Sequence, residues 1–398
     1  MMSNESPAMR FTRRELLTRG SMVAAAIGAG PVLAACGSGG TSTTTTGPTG
    51  GSSAKVAGAI NFYSWQGYDL LPESVLKAWR KKHNVTVHST YVSTHNDITA
   101  KFATGGGHGI YDLSTYEAGY GPYYVSLNIP APIDMSKVPN FQQAYPIFRQ
   151  GAISSSWWNF NGHQWALPFT WGLQGVNYDA SKIQPPASYN DLLKPSLKGK
   201  IGVTDDPVAA IVIGAHALGI FRTDSRYTHA QLSQIIGFWS RLKKNARLII
   251  PSYGNMADLF VAGEIVAASP GWAAVNSFAA AKGDTNVKHT LPKEGSATFC
   301  DAFMIPAGAT NVDTVYAYIN EAFSPQAQAQ EAENLVQAVV NPKAVPLMNS
   351  ATRSLYPYDK IDQILTTSAP LEAIPVTVPS GYASFADWNT AWESFKAS

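Results

Sequence analysis

Two cysteines in 398 residues leave almost no disulfide chemistry. Cys36 sits in a processing motif described below, so Cys300 is alone and an intramolecular disulfide is excluded. Stability must then come from a core. Charge is scarce too: Asp, Glu, Lys and Arg make up 14% of the chain, against about 25% in ordinary domains. The eight histidines show no ligand spacing such as His-x-x-x-His. The glycine-rich run Thr104–Gly109 lacks the Lys-Ser/Thr that a phosphate cradle needs, which excludes nucleotide binding there. No Gly-x-Ser-x-Gly elbow or Cys–His signature is present. Aromatic residues (11%), 33 glycines and 25 prolines take the place of charge, which suits large aromatic-lined surfaces.

The first residues read as an address and an anchor. Thr12-Arg13-Arg14-Glu15-Leu16-Leu17 is a twin-arginine export pattern, and the run Ser21–Leu33 after it is too short and too rich in small residues to span a membrane. Leu33-Ala34-Ala35-Cys36-Gly37 is a lipobox: cleavage is expected before Cys36, whose thiol would carry lipid. Residues 1–35 are therefore expected to be a signal peptide, of a route that generally exports folded chains. Residues 36–57, Gly-, Ser- and Thr-rich, cannot bury enough apolar surface to fold and form a flexible tether. Cleavage removes four arginines and two glutamates from 29 basic and 27 acidic side chains, which leaves the mature chain formally neutral. No nucleic-acid or polybasic membrane footprint remains, and contact with a membrane is expected only through the lipid.

The remainder exceeds the size at which chains divide, so two lobes are expected. Ile60–Tyr68 starts as an alternating strand and ends in exposed aromatics, Trp65 and Tyr68, beside Gln66. Such a strand end is where open α/β sheets hold ligands. A helix over Pro72–Lys82, a strand over Val85–Tyr91, a short helix over Asn96–Phe102 and a strand over Tyr111–Thr115 follow, the mark of a mixed α/β sheet. Trp157–Pro168 is a hairpin turning at Asn161-Gly162, and Phe169–Tyr178 runs extended, as a strand passing between lobes would. A strand ends before Asp205-Asp206-Pro207, where Asp206 can cap the next helix and also face a ligand. His229–Lys244 is helical. Ile265–Ser269 reads as a buried strand broken at Pro270-Gly271, before Trp272. Asp301 lies inside the otherwise apolar strand Thr298–Pro306 with no Lys or Arg within five residues, so a cationic ligand is one candidate partner. Helices are expected over Val312–Phe323, Pro325–Val339 and Ser384–Lys396, the last with a packing stripe of Phe385, Trp388, Trp392 and Phe395.

Taken in order, Phe-Tyr-Ser-Trp-Gln-Gly-Tyr, Tyr-Asp-Leu, Leu-Pro-Phe-Thr-Trp-Gly, Thr-Asp-Asp, Gly-Glu-Ile and Pro-Lys-Glu-Gly with Phe-Cys-Asp resemble the polyamine-type (spermidine/putrescine) solute-binding lipoproteins of bacterial ABC importers. The resemblance implies an α/β, two-lobed periplasmic binding protein of type II, with mixed sheets flanked by helices and a hinge between lobes. Residues 58–168 and 303–352 would form lobe 1, and 169–302 and 353–398 lobe 2. It implies a small cationic solute, a membrane permease as partner, no cofactor, no catalysis and a monomer. By position, Trp65, Gln66 and Tyr68 match the first-lobe aromatic box, Asp206 the second-lobe carboxylate, Trp272 the ring over the polyamine chain, and Phe299 with Asp301 the grip on an ammonium end. Three positions depart from the family pattern: Ala209 and Val275 stand where acidic residues are usual, and Asn341, still expected to contact the solute, where a Tyr is often found. Glu117 stands where relatives usually carry Ser, and we expect it to restore a lost negative charge. Glu117, Asp206 and Asp301 would then measure chain length.

Other readings have less support. Another amine or an amino-acid-like solute would fit the same architecture. A ferric-iron carrier would need clustered tyrosines; Tyr123-Tyr124 is a pair, but adjacent strand residues point opposite ways. Asp205-Asp206 could suggest acid/base chemistry, with no other catalytic signature beside it.

Overall fold

Alternating apolar residues give strands β1 (Gly58–Ser64) and β2 (Val85–Tyr91), which pair in parallel around the connecting helix Val75–His83. The computed structural model of the protein describes residues 56–65, 68–69, 75–92, 95–371 and 373–398; Arg13, Arg14, Cys36, the tether and Gln66 lie outside the described residues. Strand β3 (Leu113–Glu117) pairs with β1 in parallel, and the hairpin β4 (Asn159–Phe160) and β5 (His163–Gln164) follows. Asn161 and Gly162 turn that hairpin with φ of 55° and 77°, the positive values that a type I′ turn demands.

Strand β6 (Leu167–Asp179) organises everything else. It has 13 residues, all buried, against an ordinary five or six, long enough to serve two sets of partners. The later strands are β7 (Ile201–Thr204), β8 (Ala246–Ile250), β9 (Ala267–Trp272), β10 (Val287–Thr290), β11 (Thr298–Met304) and β12 (Ala338–Val339). The first half of β6 pairs with β11 and β12, the second half with β9 and β10. The result is one mixed sheet in the order β2-β1-β3-β11-β6-β9-β7-β8, with β10 and β12 also on β6. Its two halves are the two lobes, and β6 is the expected crossing strand.

The apolar core divides along the same line. One cluster gathers β1, β3, β11 and the helices Val312–Ala322 and Pro325–Leu335. A second packs the helices Pro207–Ala217 and His229–Lys243 against Trp388, Trp392 and Phe395 of the helix Phe385–Ala397, and a third lies under β8 and β9. Tyr356, Tyr358, Ile361 and Leu365, which a boundary at 352/353 would give to the second lobe, pack in the first cluster.

Four local expectations need correction. The helix from Pro325 stops at Leu335 because Val336 turns left-handed (φ 54°), and Ala338–Val339 is then taken up on the edge of β6. Strand β9 runs through Pro270-Gly271 to Trp272 instead of breaking there; a register shift on β6 between Gly175 and Asn177 accommodates the proline. Strand β3 lies two residues later than expected, which puts Glu117 at its end. Tyr123-Tyr124 is on the helix Gly121–Ser126, not a strand, with Tyr124 buried. Among the described residues no helix is long and apolar enough to cross a membrane.

Candidate functional site

Strands β1 and β3, parallel to each other, and β7, β8 and β9, parallel among themselves and opposite in direction to the first two, all point their carboxyl ends at one cavity of about 740 Å³. This is where a sheet of this kind presents loops and unpaired backbone to a ligand. Trp65 and Tyr68 enter from the end of β1, Glu117 from β3, Asp206 from β7 and Trp272 from β9; Phe299 and Asp301 come from β11, which runs antiparallel to β3. Seven of the nine expected solute-contacting residues therefore meet in one place. Gln66 lies outside the described residues. Asn341 does not reach the cavity: it is buried 18 residues beyond Phe323, donates from Nδ2 to the Phe323 carbonyl at 3.0 Å and accepts from the Lys343 amide. It caps the short helix Pro342–Leu347.

The aromatic wall is built from β6 outward. Gly172 faces Phe299 across the β6–β11 ladder, and a Cβ at 172 would sit 2.3 Å from the Phe299 ring. The bare glycine lets Phe299 lie flat on β6 and meet Trp272 edge-to-face, with centroids 5.8 Å apart. Tyr253 and Phe278 close the other sides of Trp272, each at 5.5 Å. Tyr68 packs edge-on against Phe169 at 5.3 Å.

The polar groups form two assemblies. In the first, Thr170 Oγ1 donates to Gln337 Oε1 (2.9 Å), Gln337 Nε2 donates to the Tyr68 hydroxyl (3.0 Å), and Tyr68 donates to Asp301 Oδ2 (2.6 Å). Asp301 is 4% exposed; burial pushes its carboxyl up to about 7 despite the Tyr68 hydrogen bond. Across the strand pair, Glu117 is pushed up to about 8, first by burial and then by Asp301, with the backbone N–H groups of Gly119 and Tyr120 offsetting part of this. In the second assembly, Asp206 caps the helix Pro207–Ala217 by accepting from the Ala209 amide at 3.1 Å, and its other oxygen accepts from Tyr253 (2.8 Å) and Gln174 Nε2 (3.0 Å). Burial raises its pKa, and these donors oppose the rise. Asp206 is thus both cap and cavity wall. Among the described residues, the cavity lining contains no Lys, Arg or His.

Sequence reasoning missed Gln174, Tyr253, Tyr120, Gln337, Phe385 and Asn389, all of which line the cavity. Gln174 had a usable signal, a polar side chain in a mostly apolar strand, and the fold leaves it 4% exposed. Phe385 belongs to a helical stripe and packs as core, yet its end also reaches the cavity. Asp205, next to Asp206, also lines the cavity, but its carboxylate is held by the Trp392 indole N–H and Lys396 Nζ, each at 2.8 Å.

The chain is similar to known proteins over most of its length. The putrescine-binding periplasmic protein PotF of Escherichia coli K12 is 24% identical over 318 residues, which span 75% of this chain and 83% of that one. The spermidine/putrescine-binding periplasmic protein of the same organism is 27% identical over 306 residues, with the same coverage. Among solved structures, the TpPotD lipoprotein of Treponema pallidum superimposes with a TM-score of 0.70 at 19% identity, covering 86% of this chain and all of the other, which shows a shared fold. The model of the family described as bacterial extracellular solute-binding protein matches residues 74–351. A two-lobed sheet with one aromatic, acidic cavity at its carboxyl ends, together with that match, means that the chain belongs to the bacterial extracellular solute-binding proteins.

Proposed function

We propose that the protein captures a small polyamine-like cation, of the putrescine or spermidine kind, in the cavity between the lobes and passes it to the permease of an ABC importer. One observation carries this reading: Glu117, Asp206 and Asp301 converge on an aromatic cavity whose described lining holds no cation to balance them. Carboxylates withdrawn from water cost several kcal/mol unless a positive charge answers them. A diamine supplies two such charges and an apolar middle. Each buried methylene contributes about 0.8 kcal/mol, so a four-carbon spacer gives roughly 3. Trp65, Trp272, Tyr68 and Phe299 offer faces for cation–π attraction of about 1–2 kcal/mol per desolvated contact. An amino-acid-like solute would bring its own carboxylate into this acidic lining. The named relatives, which bind putrescine or spermidine, support the same class of solute.

The ordered motifs at Arg13-Arg14 and Leu33–Cys36 support export by the twin-arginine route and a lipid on Cys36. Mass spectrometry of the mature amino terminus tests that part. For the solute, thermal-shift screening of putrescine, spermidine, amino acids, opines and sugars is the direct experiment. Polyamines are expected to raise the melting temperature in a dose-dependent way. A shift with a sugar or an amino acid, and none with either polyamine, would overturn the reading.

A further inference from the structure

Among the described residues, two acceptor atoms in the cavity have no donor. Glu117 Oε1 and Gln174 Oε1 are both buried and unpartnered, on side chains only 7% and 4% exposed. The Gln174 amide is oriented by its Nε2 group, which must face the Asp206 carboxylate, so its oxygen is the end left over. Glu117 and Asp301 are register partners on β3 and β11. Directly opposed residues on antiparallel strands share one face, with Cβ atoms about 5 Å apart. Two carboxylates at that separation, out of water, cannot both stay charged unaided; the pair must take up a proton or a cation.

We infer that Glu117 and Asp301 act as one unit, sharing a single proton while the cavity is empty and giving it up when an ammonium head enters between them. This rests on the reading that the solute is cationic. The ammonium keeps its own protons and donates to both carboxylates; the displaced proton leaves for the buffer. The unit passes from one negative charge to two, balanced by the incoming positive charge.

The surroundings of the pair favour this. Glu117 is faced by Asp301 from β11 and by Asp206 from the start of the helix Pro207–Ala217. Asp301 is faced by the Tyr68 hydroxyl, which donates to it. Tyr116 and Tyr124 stand beside Glu117, and Cys300 beside Asp301, all kept neutral by burial. No cationic side chain is among these groups. The upward shifts, to about 8 for Glu117 and about 7 for Asp301, agree with about one proton held by the pair between pH 7 and 8. Glu117 is thereby a specificity-determining residue: it doubles the charge that meets one end of the solute, and makes that end wait for a proton to leave.

Calorimetry of the whole mature chain with putrescine and with spermidine, at pH 7.5 in phosphate, HEPES and Tris, tests the inference. Buffer-dependent heats are expected to report about one proton released per ligand bound. Glu117→Gln should cut the release to under about a third, whereas Asp206→Asn should weaken binding and keep the release. Binding of either amine without buffer dependence would overturn the proton exchange and leave the cationic reading standing, as would undiminished release in Glu117→Gln. Failure of both amines to bind at about 1 mM would remove the cationic reading and the inference with it. Should Glu117→Gln not fold, the natural chain decides alone: affinity should weaken by about tenfold from pH 8 to pH 7, and a flat profile would overturn the inference.

Discussion

Glu117 stands directly opposite Asp301, one at the carboxyl end of β3 and one on antiparallel β11, with both side chains in the same cavity. Like charges facing across a ladder destabilise it. The fold keeps them together all the same, and that strain sets the behaviour of the site when empty.

The pair predicts how stability changes with pH. An unfolded carboxylate titrates near 4, whereas Glu117 and Asp301 in the fold are pushed up to about 8 and about 7. Between those limits the folded chain holds more protons than the unfolded one, so stability falls as pH rises. His289, pushed down to about 4 by burial, acts in the opposite sense below about 6.5, where the unfolded chain binds more protons and stability rises with pH. The clean window is therefore from about 6.5 to 8. There the melting temperature of the ligand-free natural chain is expected to fall relative to that of Glu117→Gln, and parallel curves would count against the pair.

Asp205 and Asp301 separate stability from binding. Asp205 ties the carboxy-terminal helix to the second lobe through Trp392 and Lys396 and is partly exposed. Asp205→Ala should cost about 1 kcal/mol of stability and change polyamine affinity less than about threefold. Asp301→Ala should weaken binding about 100-fold or more at a stability cost of about 1 kcal/mol, because loss of the Tyr68 hydrogen bond is partly offset by relief of the buried pair with Glu117. Paired calorimetry and melting curves distinguish the two; equal, small losses of affinity would remove Asp301 from the site.

Tyr68→Phe tests the hydrogen-bonded chain. The hydroxyl both donates to Asp301 and accepts from Gln337. Its loss should destabilise the protein by about 1–2 kcal/mol, as for a buried hydrogen bond left half made. Asp301 also loses the one donor that lowers its pKa, so polyamine binding should weaken more at pH 6 than at pH 8. An affinity loss independent of pH would mean that Tyr68 contributes only packing.

Gly172→Ala tests the aromatic wall from behind. The new methyl would displace the Phe299 ring, and through it Trp272, whose Nε1 lies 3.0 Å from the same point. Overpacking of this kind costs about 1–3 kcal/mol. Loss of polyamine affinity should accompany loss of stability. Native affinity in this variant would show that the Phe299–Trp272 contact is dispensable.

The strands at 58–64, 85–91 and 298–304, the hairpin at Asn161-Gly162, the cap at Asp206-Pro207 and the crossing stretch at 169–178 could all be read from the sequence, because each depends on local periodicity or on backbone preferences of single residues. Asp301 could be singled out for the same reason: a charge in an apolar strand is a local anomaly. The end of the helix at Leu335 and the continuation of β9 through Pro270 could not, since both are decided by an edge of β6 that is distant in the chain. Gln174, Tyr253 and Gln337 joined the site, and Asn341 left it, on the strength of contacts across 18 to 269 residues. What the sequence alone determined was which segments form strands and helices and which residues carry charge where charge is rare. Only the tertiary structure decided that Glu117 faces Asp301 and that the Asp205 carboxylate is tied to Trp392 and Lys396 while that of Asp206 is tied to Tyr253 and Gln174, because register and strand order depend on the packing of the whole sheet and not on any one stretch of chain.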